Sequence, residues 1–382
     1  MLIMKKLKIG ITCYPTVGGS GVMATELGKM LAERGHEIHF ITSSMPFRLN
    51  KVYPNIFFHE VEVNNYSVFQ YPPYDIALAS RMADVIREEQ LDVLHVHYAI
   101  PHAVCAVLGR DMAGQAGKRV GIVTTLHGTD ITVLGDDALL TTAIRYGIEK
   151  SDVVTAVSTS LKDQTMELIQ PNQTIETVYN FVDEREYYQR DGRELREAFG
   201  IEPDEKVMVH VSNFRKVKHV PDVIETFIKT RKYVKSKLLL IGDGPEKHEA
   251  MQLAKQTPYS EDILFLGKQE NLAELYAMAD LKLLMSEKEA FGLVLLEAMA
   301  CGVPGIGTRI GGIPEVICHE KNGYIVELGD TDQAAHHAIS LLLDDEKLQL
   351  FRKQAIQSVQ DRFHSEKIVE QYEALYEKVV QK

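Results

Sequence analysis

The sequence predicts an α/β protein made of two Rossmann-like domains, each with a parallel sheet between layers of helices. Short apolar runs with the character of buried strands alternate with longer helix-like runs along the chain, which is typical of this class. The alternation restarts after a polar stretch at residues 183–204. A length of 382 residues is enough for two domains with separate cores. We therefore expect a first domain over residues 1–180 and a second over residues 181–364.

Composition argues against several classes of partner. The formal net charge of -12 disfavours nucleic acid or an anionic membrane as the main partner. The four cysteines are scattered without a C-x-x-C pair, and we interpret them as buried thiols in a reducing compartment. No apolar run reaches the length of a membrane span. We expect a cytoplasmic protein without stable membrane association, and a homo-oligomer stays open.

The first half should begin with a strand, a glycine loop and an amphipathic helix that ends near Gly35. The loop Gly18-Gly19-Ser20-Gly21 is not G-x-G-x-x-G, and no acidic residue ends the next strand, so a dinucleotide site is not expected. A ligand close to the backbone and a plain tight turn are both compatible with these glycines. The predicted strands are residues 8–13, 36–41, 92–98, 121–126, 152–157 and 175–180, and the other predicted helices are residues 76–89 and 138–150, with Ser158 capping one more.

Three histidines, His95, His97 and His102, lie in or just after one predicted strand. Their spacing raises the question of a metal site. Alternation puts His95 and His97 on the same side of the strand, but no carboxylate or cysteine completes a ligand set. We interpret them as histidines of the core or of a pocket edge, and we expect no metal.

The second half repeats the strand–loop–helix order. The predicted strands are residues 206–212, 237–241, 263–266, 281–285, 305–308 and 323–326, and the predicted helices are residues 221–232, 272–279 and the charged tail from residue 332. Asp330 and Asp332 resemble a D-x-D metal pair, but they precede the helical tail and are better interpreted as its cap.

Glu289 and Glu297 flank an apolar run that begins a helix closed by Gly302. Their spacing alone fits two solvated side chains beside a core helix. Three further polar loops follow predicted strands of this half, and they contain Arg215 with Lys218, Gly242-Asp-Gly-Pro, and residues 267–271. The carboxyl ends of parallel strands meet at one edge of a sheet. Cations, glycine amides and a helix N-terminus together suit a diphosphate, and carboxylates suit sugar hydroxyls.

Glu289 to Glu297, with Phe291-Gly292 between them, resembles the E-x7-E signature of retaining glycosyltransferases of family 4, which have the GT-B fold. Other parts of that pattern are matched in order by Gly18-Gly19, His127, Arg215 with Lys218, Gly242-Asp-Gly-Pro and Gly311-Gly312. The resemblance implies two Rossmann-like domains that face one another across a cleft, with the C-terminal helix (residues 365–382) crossing back to the first domain. It also implies a first domain for the acceptor and a second for the nucleotide sugar.

The resemblance implies roles for individual residues. The catalytic set would be His127 on the transferred sugar, Arg215 and Lys218 on the diphosphate, and Glu289 on the sugar hydroxyls. Glu297 would hold the ribose. The other donor contacts would be Gly19, Gly242, Gln269, Phe291, Gly292 and Leu293. Arg215 and Lys218 are closer together than the usual family pattern, which leaves open which cation takes which phosphate.

One subgroup of the family is especially similar, through residues 14–21, 126–130 and 212–215. It transfers N-acetylglucosamine from UDP-N-acetylglucosamine to L-malate, the first step of bacillithiol biosynthesis. Candidates for the acceptor site are Ser20, Tyr98, Thr129, Arg145 and Asn180, although their spacing does not single out malate and Arg145 could equally be a helix-surface residue. The alternatives are a family member with a sugar or lipid acceptor, a UDP-sugar epimerase, and a binding protein without catalysis.

Overall fold

The chain divides into two units, each with its own parallel sheet. Unit 1 consists of Met1–Asn180 and Glu366–Lys382, and unit 2 consists of Phe181–Ser365. The structure is a computed structural model, and it describes residues 6–15, 18–49, 51–63, 71–114, 119–135 and 137–381. The prediction of two Rossmann-like, parallel-sheet domains is confirmed.

Unit 1 contains a seven-stranded sheet in the order β3-β2-β1-β4-β5-β6-β7. All of its neighbouring strands run parallel. The strands are β1 (Lys8–Thr12), β2 (Glu37–Thr42), β3 (Ile56–Glu60), β4 (Val93–His97), β5 (Gly121–Leu126), β6 (Val153–Ala156) and β7 (Ile175–Thr177). Strand β3 was not predicted, because its sequence Ile-Phe-Phe-His-Glu does not alternate cleanly between apolar and polar residues.

The helices of unit 1 cover both faces of this sheet. They are α1 (Gly19–Glu33), α2 (Tyr74–Glu89), α3 (Val104–Ala113), α4 (Thr129–Thr132), α5 (Ala138–Lys150) and α6 (Thr159–Leu168), with a kinked segment at Ala99–Ala103 in which Ile100 is extended. The prediction that α1 is amphipathic is wrong, because every residue from Ser20 to Ala32 is buried. The Ser158 cap is confirmed, since its hydroxyl accepts a hydrogen bond from the Leu161 N–H at 3.0 Å.

Unit 2 contains a six-stranded sheet in the order β10-β9-β8-β11-β12-β13. Its strands are β8 (Lys206–Ser212), β9 (Ser236–Gly242), β10 (Ile263–Gly267), β11 (Leu281–Leu284), β12 (Gly305–Thr308) and β13 (Gly323–Val326). Leu238, Leu240, Leu281, Leu283 and Ile306 belong to its buried core. These strands agree with the predicted ones within a residue at each end, because buried parallel strands give short, continuous apolar runs.

The helices of unit 2 are α7 (Arg193–Ala198), α8 (Val220–Arg231), α9 (Lys247–Lys255), α10 (Leu272–Ala277), α11 (Leu293–Ala300), α12 (Ile313–Val316), α13 (Thr331–Leu342) and α14 (Asp345–Arg362). The Asp330 side chain accepts a hydrogen bond from the Gln333 N–H at 2.9 Å, so Asp330 caps α13 as predicted. The predicted helical tail is three helices, the last being α15 (Ser365–Val380), most of which packs in unit 1. Within the described ranges, no helix combines the length and apolarity of a membrane span.

Candidate active site

The loop after β8 carries both predicted phosphate-binding cations. Arg215 precedes a one-turn 3₁₀ helix, Lys216–Lys218, and its side chain is exposed. The backbone N–H of Glu287 donates to the Val217 carbonyl at 2.8 Å, which ties this loop to the loop after β11. Two segments that are about 70 residues apart in sequence therefore lie side by side at the carboxyl edge of the unit 2 sheet.

Lys218 and Glu289 form a direct ion pair at this edge. The Lys218 Nζ lies 2.7 Å from Glu289 Oε2, and the two side chains are only 19% and 16% exposed. The sequence assigned these residues to different parts of one donor, and the structure brings them together. A charge-assisted hydrogen bond with this little exposure to water fixes the position of both side chains. Arg215, one turn earlier, has no such carboxylate partner among the described residues.

Gly311 and Gly312 support the Glu289 loop from behind. A Cβ on Gly311 would lie 1.9 Å from the Glu289 carbonyl oxygen, and Gly311 has φ +54°. The Gly312 N–H donates to the same carbonyl at 3.1 Å. Any larger side chain at these positions would displace the segment that carries Glu289. The two glycines therefore have a positioning role that their sequence alone does not reveal.

Gly242, a predicted donor contact, is also explained by close packing of two loops. A Cβ there would lie 1.8 Å from the Ser212 carbonyl oxygen, and its φ is +126°. This contact holds the end of β9 against the loop that leads to Arg215. Gln269 lies in the next loop along the edge, where its side chain is exposed and its amide donates to the Leu266 carbonyl at 2.7 Å.

Helix α11 points its N-terminus at the same edge. Gly292 caps it with φ +98°, and its carbonyl accepts the Leu295 and Leu296 N–H groups. The N–H groups of the first turn, beginning at half-buried Leu293, carry the positive end of the helix dipole. Phe291 is buried and packs edge-to-face on Phe363 at 5.6 Å.

Glu297 lies in the second turn of α11 and is only 3% exposed. Sequence reasoning missed its charged neighbour, Lys282, which lies on β11 and is completely buried. Burial lowers the pKa of Lys282 to about 7, against the opposing effect of Glu297, which favours the charged form. Its Nζ has no hydrogen-bond partner among the described residues and lies 5.7 Å from the Tyr276 ring centroid. A lysine inside an apolar strand was the available signal.

In unit 1, His127 follows β5 and is joined to His97 at the end of β4. The His97 Nδ1 and His127 Nε2 atoms are 2.7 Å apart, and the rings stack with centroids 5.0 Å apart. The other nitrogen of His97 is buried without a hydrogen-bond partner among the described residues. A bare buried lone pair is more readily tolerated than a bare buried N–H. We therefore assign the shared proton to His97, which leaves the His127 Nδ1 protonated and able to donate.

A second layer of side chains supports this pair. The His95 ring stacks on His97 at 4.6 Å, and its two nitrogens contact the Tyr376 hydroxyl and the Thr125 hydroxyl, each at 2.7 Å. Burial lowers the pKa values of His95 and His127 to about 3, so both rings are neutral at pH 7. Tyr376 lies on α15. The C-terminal helix therefore contacts His95 on β4 directly, and the Tyr372 ring of the same helix lies 5.2 Å from the His95 ring.

Ser20 and Tyr98, both predicted acceptor residues, are also brought together. The Tyr98 hydroxyl donates to the Ser20 hydroxyl at 2.7 Å, and the Tyr98 ring lies 5.4 Å from the His127 ring. Tyr98 has φ +88°, a conformation that costs a non-glycine residue about 1–3 kcal/mol and is concentrated at functional sites. Thr129 is exposed and interacts with the Tyr98 hydroxyl.

Asp130 holds the turn that follows His127. Its carboxylate accepts the Ala99 N–H at 2.8 Å and the Gly128 N–H at 3.1 Å, so it joins the segments after β4 and β5. Burial raises its pKa to about 6, although these hydrogen bonds favour the charged form. Sequence reasoning did not single out Asp130, because an acidic residue near a helix start resembles an ordinary cap.

The positions of the remaining predicted residues of unit 1 say less about a ligand-binding role. Arg145 lies on α5, where its Nε donates to the Ile169 carbonyl at 2.7 Å. Asn180 is buried and ends unit 1. Gly19 is exposed and begins α1, whereas Thr16 and Val17 of the predicted glycine loop lie outside the described residues. Only Ser20, Tyr98, Thr129 and His127 form a connected group.

Comparison with known proteins identifies the family. A family model described as "Glycosyl transferases group 1" matches residues 191–358, and one described as "Glycosyltransferase Family 4" matches residues 17–186. N-acetyl-alpha-D-glucosaminyl L-malate synthase of Bacillus anthracis is 64% identical over 371 residues, which cover 97% of each chain. The chain belongs to glycosyltransferase family 4. As a member of this family, the protein is a glycosyltransferase, and the predicted resemblance is confirmed.

Other members and solved structures agree with this assignment. D-inositol 3-phosphate glycosyltransferase of Mycobacterium marinum is 26% identical, over 83% of this chain and 72% of that protein. Sucrose-phosphate synthase of Thermosynechococcus elongatus superposes with a TM-score of 0.82 at 19% identity, covering 98% of this chain and 99% of that one. HepE of Anabaena, crystallised with UDP and glucose, gives 0.80 at 20% identity, covering 96% and 98%. The glycosyltransferase fold is GT-B, as predicted.

Proposed function

We propose that the protein transfers N-acetylglucosamine from UDP-N-acetylglucosamine to the hydroxyl of L-malate, with retention at the anomeric carbon. The name of the Bacillus anthracis relative, at 64% identity over nearly the whole chain, supports the donor sugar and the acceptor. The geometric observation that carries the proposal is the Lys218–Glu289 pair beside the N-terminus of α11. By resemblance, the reaction would be the first step of bacillithiol biosynthesis.

Unit 2 would bind the donor through charge and backbone amides. Arg215 and Lys218 neutralise the diphosphate, and the amides of Phe291, Gly292 and Leu293 face its oxygens. The Lys218 Nζ and Glu289 Oε2 atoms lie 2.7 Å apart, so the two side chains can contact adjoining parts of one donor. Glu289 accepts hydrogen bonds from the sugar hydroxyls, and the neighbouring Lys218 contacts a phosphate oxygen.

The nucleoside part of the donor would lie deeper along the same edge. Glu297, which is buried in α11, accepts hydrogen bonds from the ribose hydroxyls. The loop with Gln269 faces uracil. Gly242 keeps the cation loop in place through its close approach to the Ser212 carbonyl. Neither Glu289 nor Glu297 carries a proton in this scheme.

Transfer would proceed on one face of the sugar. The bond from the anomeric carbon to the diphosphate oxygen breaks as the bond to the malate hydroxyl oxygen forms. The malate proton passes to the leaving phosphate oxygen, and the growing negative charge is stabilised by Arg215 and Lys218. No metal is required for these steps.

In unit 1, His127 would contact the transferred sugar near its 6-hydroxyl. A pKa of about 3 keeps the imidazole neutral, which suits a hydrogen-bond donor and not a general acid at pH 7. Ser20, Tyr98 and Thr129 supply hydroxyl groups for malate. Arg145 and Asn180 are the remaining acceptor candidates. We propose a cytoplasmic location, which the four free cysteines support.

An acceptor panel tests the proposal. The purified protein is incubated with UDP-N-acetylglucosamine and with L-malate, D-malate, succinate, inositol 3-phosphate or a simple sugar, and UDP release is measured. We expect release to depend on L-malate, with EDTA making no difference. Succinate lacks the hydroxyl and should be inert. UDP release that requires a sugar acceptor would favour a family 4 enzyme with a different acceptor. Formation of an epimerised UDP-sugar without any acceptor would favour an epimerase.

A further inference from the structure

A second histidine pair lies in unit 1, on β2 and β3. His39 is buried on β2, and His59 is half-buried on β3. Glu89, at the end of α2, faces both rings. One nitrogen from each ring and one carboxylate oxygen all lie within 4.8 Å of one another.

This cluster is on the opposite face of the sheet from His95 and His97. In the parallel register, His39 pairs with Gly10, and Gly10 pairs with Leu94. Side chains in register point to the same face, and successive residues of a strand point to opposite faces. His39 therefore shares the face of Leu94, which packs in the core with α2 and α3. The cluster has no part in the candidate active site.

The hydrogen bonds of His39 leave one nitrogen pointed into the cluster. Its Nε2 lies 3.0 Å from Glu37 Oε1, and an ionised carboxylate only accepts, so Nε2 carries the proton. The His39 Nδ1 is then a lone pair, and it lies 2.9 Å from His59 Nε2. A carboxylate that orients a histidine through its far N–H is the usual support of a metal-binding imidazole.

We propose that His39 Nδ1, His59 Nε2 and a Glu89 carboxylate oxygen bind one Zn²⁺ ion, with water as the fourth ligand. Two imidazoles and one carboxylate form a ligand set that zinc takes in tetrahedral geometry. The set joins three elements, β2, β3 and α2. Because β3 is an edge strand of the sheet, the metal clamps it to its neighbour and to the helix behind.

Binding requires the two rings to separate slightly and the Glu89 side chain to move inward, since its oxygen lies within 4.8 Å of the two nitrogens. Zn–N bonds of about 2.0–2.1 Å place two ligand nitrogens of a tetrahedron roughly 3.3 Å apart, so the rings separate by about 0.4 Å. The His59 proton that now lies between the rings moves to its Nδ1 when Nε2 binds the metal. This step releases no proton overall.

Arg81 opposes that proton shift, which gives the proposal an unusual test. Its Nη2 lies 3.5 Å from His59 Nδ1 and presents a donor to an atom that must itself become a donor. A glutamine there offers a carbonyl oxygen to the new N–H and removes a positive charge. Arg81→Gln should therefore tighten metal binding, whereas loss of a merely structural contact would weaken it or leave it unchanged.

The experiment is a titration of metal-stripped, full-length protein with Zn²⁺ by calorimetry, together with Co²⁺ as a spectroscopic probe of tetrahedral coordination. We expect one equivalent of Zn²⁺ and a rise in melting temperature on binding. Glu89→Gln and His59→Gln should weaken binding at least tenfold, Glu37→Gln should weaken it about 10–100-fold, and Arg81→Gln should strengthen it. Circular dichroism confirms the fold of each variant.

His248→Gln is the matched control, because His248 is an exposed histidine on α9 of unit 2. It should leave zinc binding unchanged. The proposal is overturned if the wild-type protein binds no zinc, if Glu89→Gln and His59→Gln bind as well as wild type, or if His248→Gln abolishes binding.

Discussion

The candidate site in unit 2 is built from charged side chains, whereas the His127 group in unit 1 is built from neutral histidines and hydroxyl groups. Unit 2 presents Arg215, Lys218 and Glu289 on loops, with the Lys218–Glu289 pair formed directly. Unit 1 presents His127, held by His97 and close to the Tyr98 ring, whose hydroxyl contacts Ser20, and burial lowers the His127 pKa to about 3. The contrast assigns charge stabilisation to unit 2 and orientation to unit 1.

The largest effect should come from the charged half. Lys218→Ala should lower kcat by about 10²–10³, because it removes a preorganised cation at the developing negative charge. Glu289→Gln should cause a comparable loss, because it removes the ion-pair partner of Lys218 and weakens the positioning of the sugar. The double variant should lose much less than the product of the two factors, since the residues contact one another. Steady-state UDP release gives both numbers.

Lys216→Ala is the matched control for Lys218, since Lys216 lies on the same turn with an exposed side chain. It should retain nearly full activity. Equal losses in Lys216→Ala and Lys218→Ala would mean that general positive charge, and not the Lys218–Glu289 pair, is what the reaction uses.

A smaller effect is expected in the neutral half. His97→Phe keeps a ring for stacking but removes the nitrogen 2.7 Å from His127. We expect kcat to fall about 10–100-fold through misorientation of His127, with unchanged affinity for UDP. Calorimetry with UDP and turnover assays separate the two quantities. A parallel loss of UDP affinity would contradict the assignment of UDP binding to unit 2 and of orientation to unit 1.

The lowered pKa of the buried Lys282 should make the melting temperature of the protein depend on pH. Its pKa is about 7 in the folded chain and 10.5 in the unfolded one, so the unfolded chain binds the extra proton between these values. Wild-type stability therefore gains from rising pH across this window. The melting temperature of Lys282→Met, relative to wild type, should fall by about 2–4 °C or more between pH 7 and pH 10. A constant difference would contradict the lowered pKa of Lys282 in the folded chain.

The smallest effect concerns the C-terminal helix. Tyr376→Phe removes only the hydroxyl that contacts His95 at 2.7 Å. We expect a loss of about 0.5–1.5 kcal/mol in the free energy of unfolding and less than a threefold change in kcat, since His97 still holds His127. Chemical denaturation and turnover measure these. A kcat loss as large as that of His97→Phe would extend the orienting network to α15.

The same contrast explains which features of the site could be predicted from the sequence and which could not. The carboxylates and cations of unit 2 stand out because charged residues follow apolar strands, and their loops meet at one sheet edge. The His97–His127 pair joins the ends of two strands, and its support from Tyr376 comes from a helix at the other end of the chain. The spacing of residues along the sequence does not reveal contacts between segments that are so far apart in the chain. The supporting roles of Gly311 and Gly312 depend on a close approach of backbones.

The edge strand β3 and the tautomers of the histidines could not be predicted from the sequence either. Strand β3 lacks a clean alternation of apolar residues, so its pairing with β2, and with it the His39–His59 contact, required the structure. In contrast, Lys282 was visible as a lysine between leucines and could have been noticed. Charged residues in loops after strands match known motifs, whereas a charged residue inside an apolar strand matches none.

The most direct test of the central claim is the product of one reaction mixture. Wild-type protein, UDP-N-acetylglucosamine and L-malate are combined, and the product is examined by mass spectrometry and by proton NMR at the anomeric position. We expect an N-acetylglucosaminyl malate with the α configuration of the donor. A β-configured product, or the absence of any malate-containing glycoside under conditions in which the protein binds UDP, would contradict it.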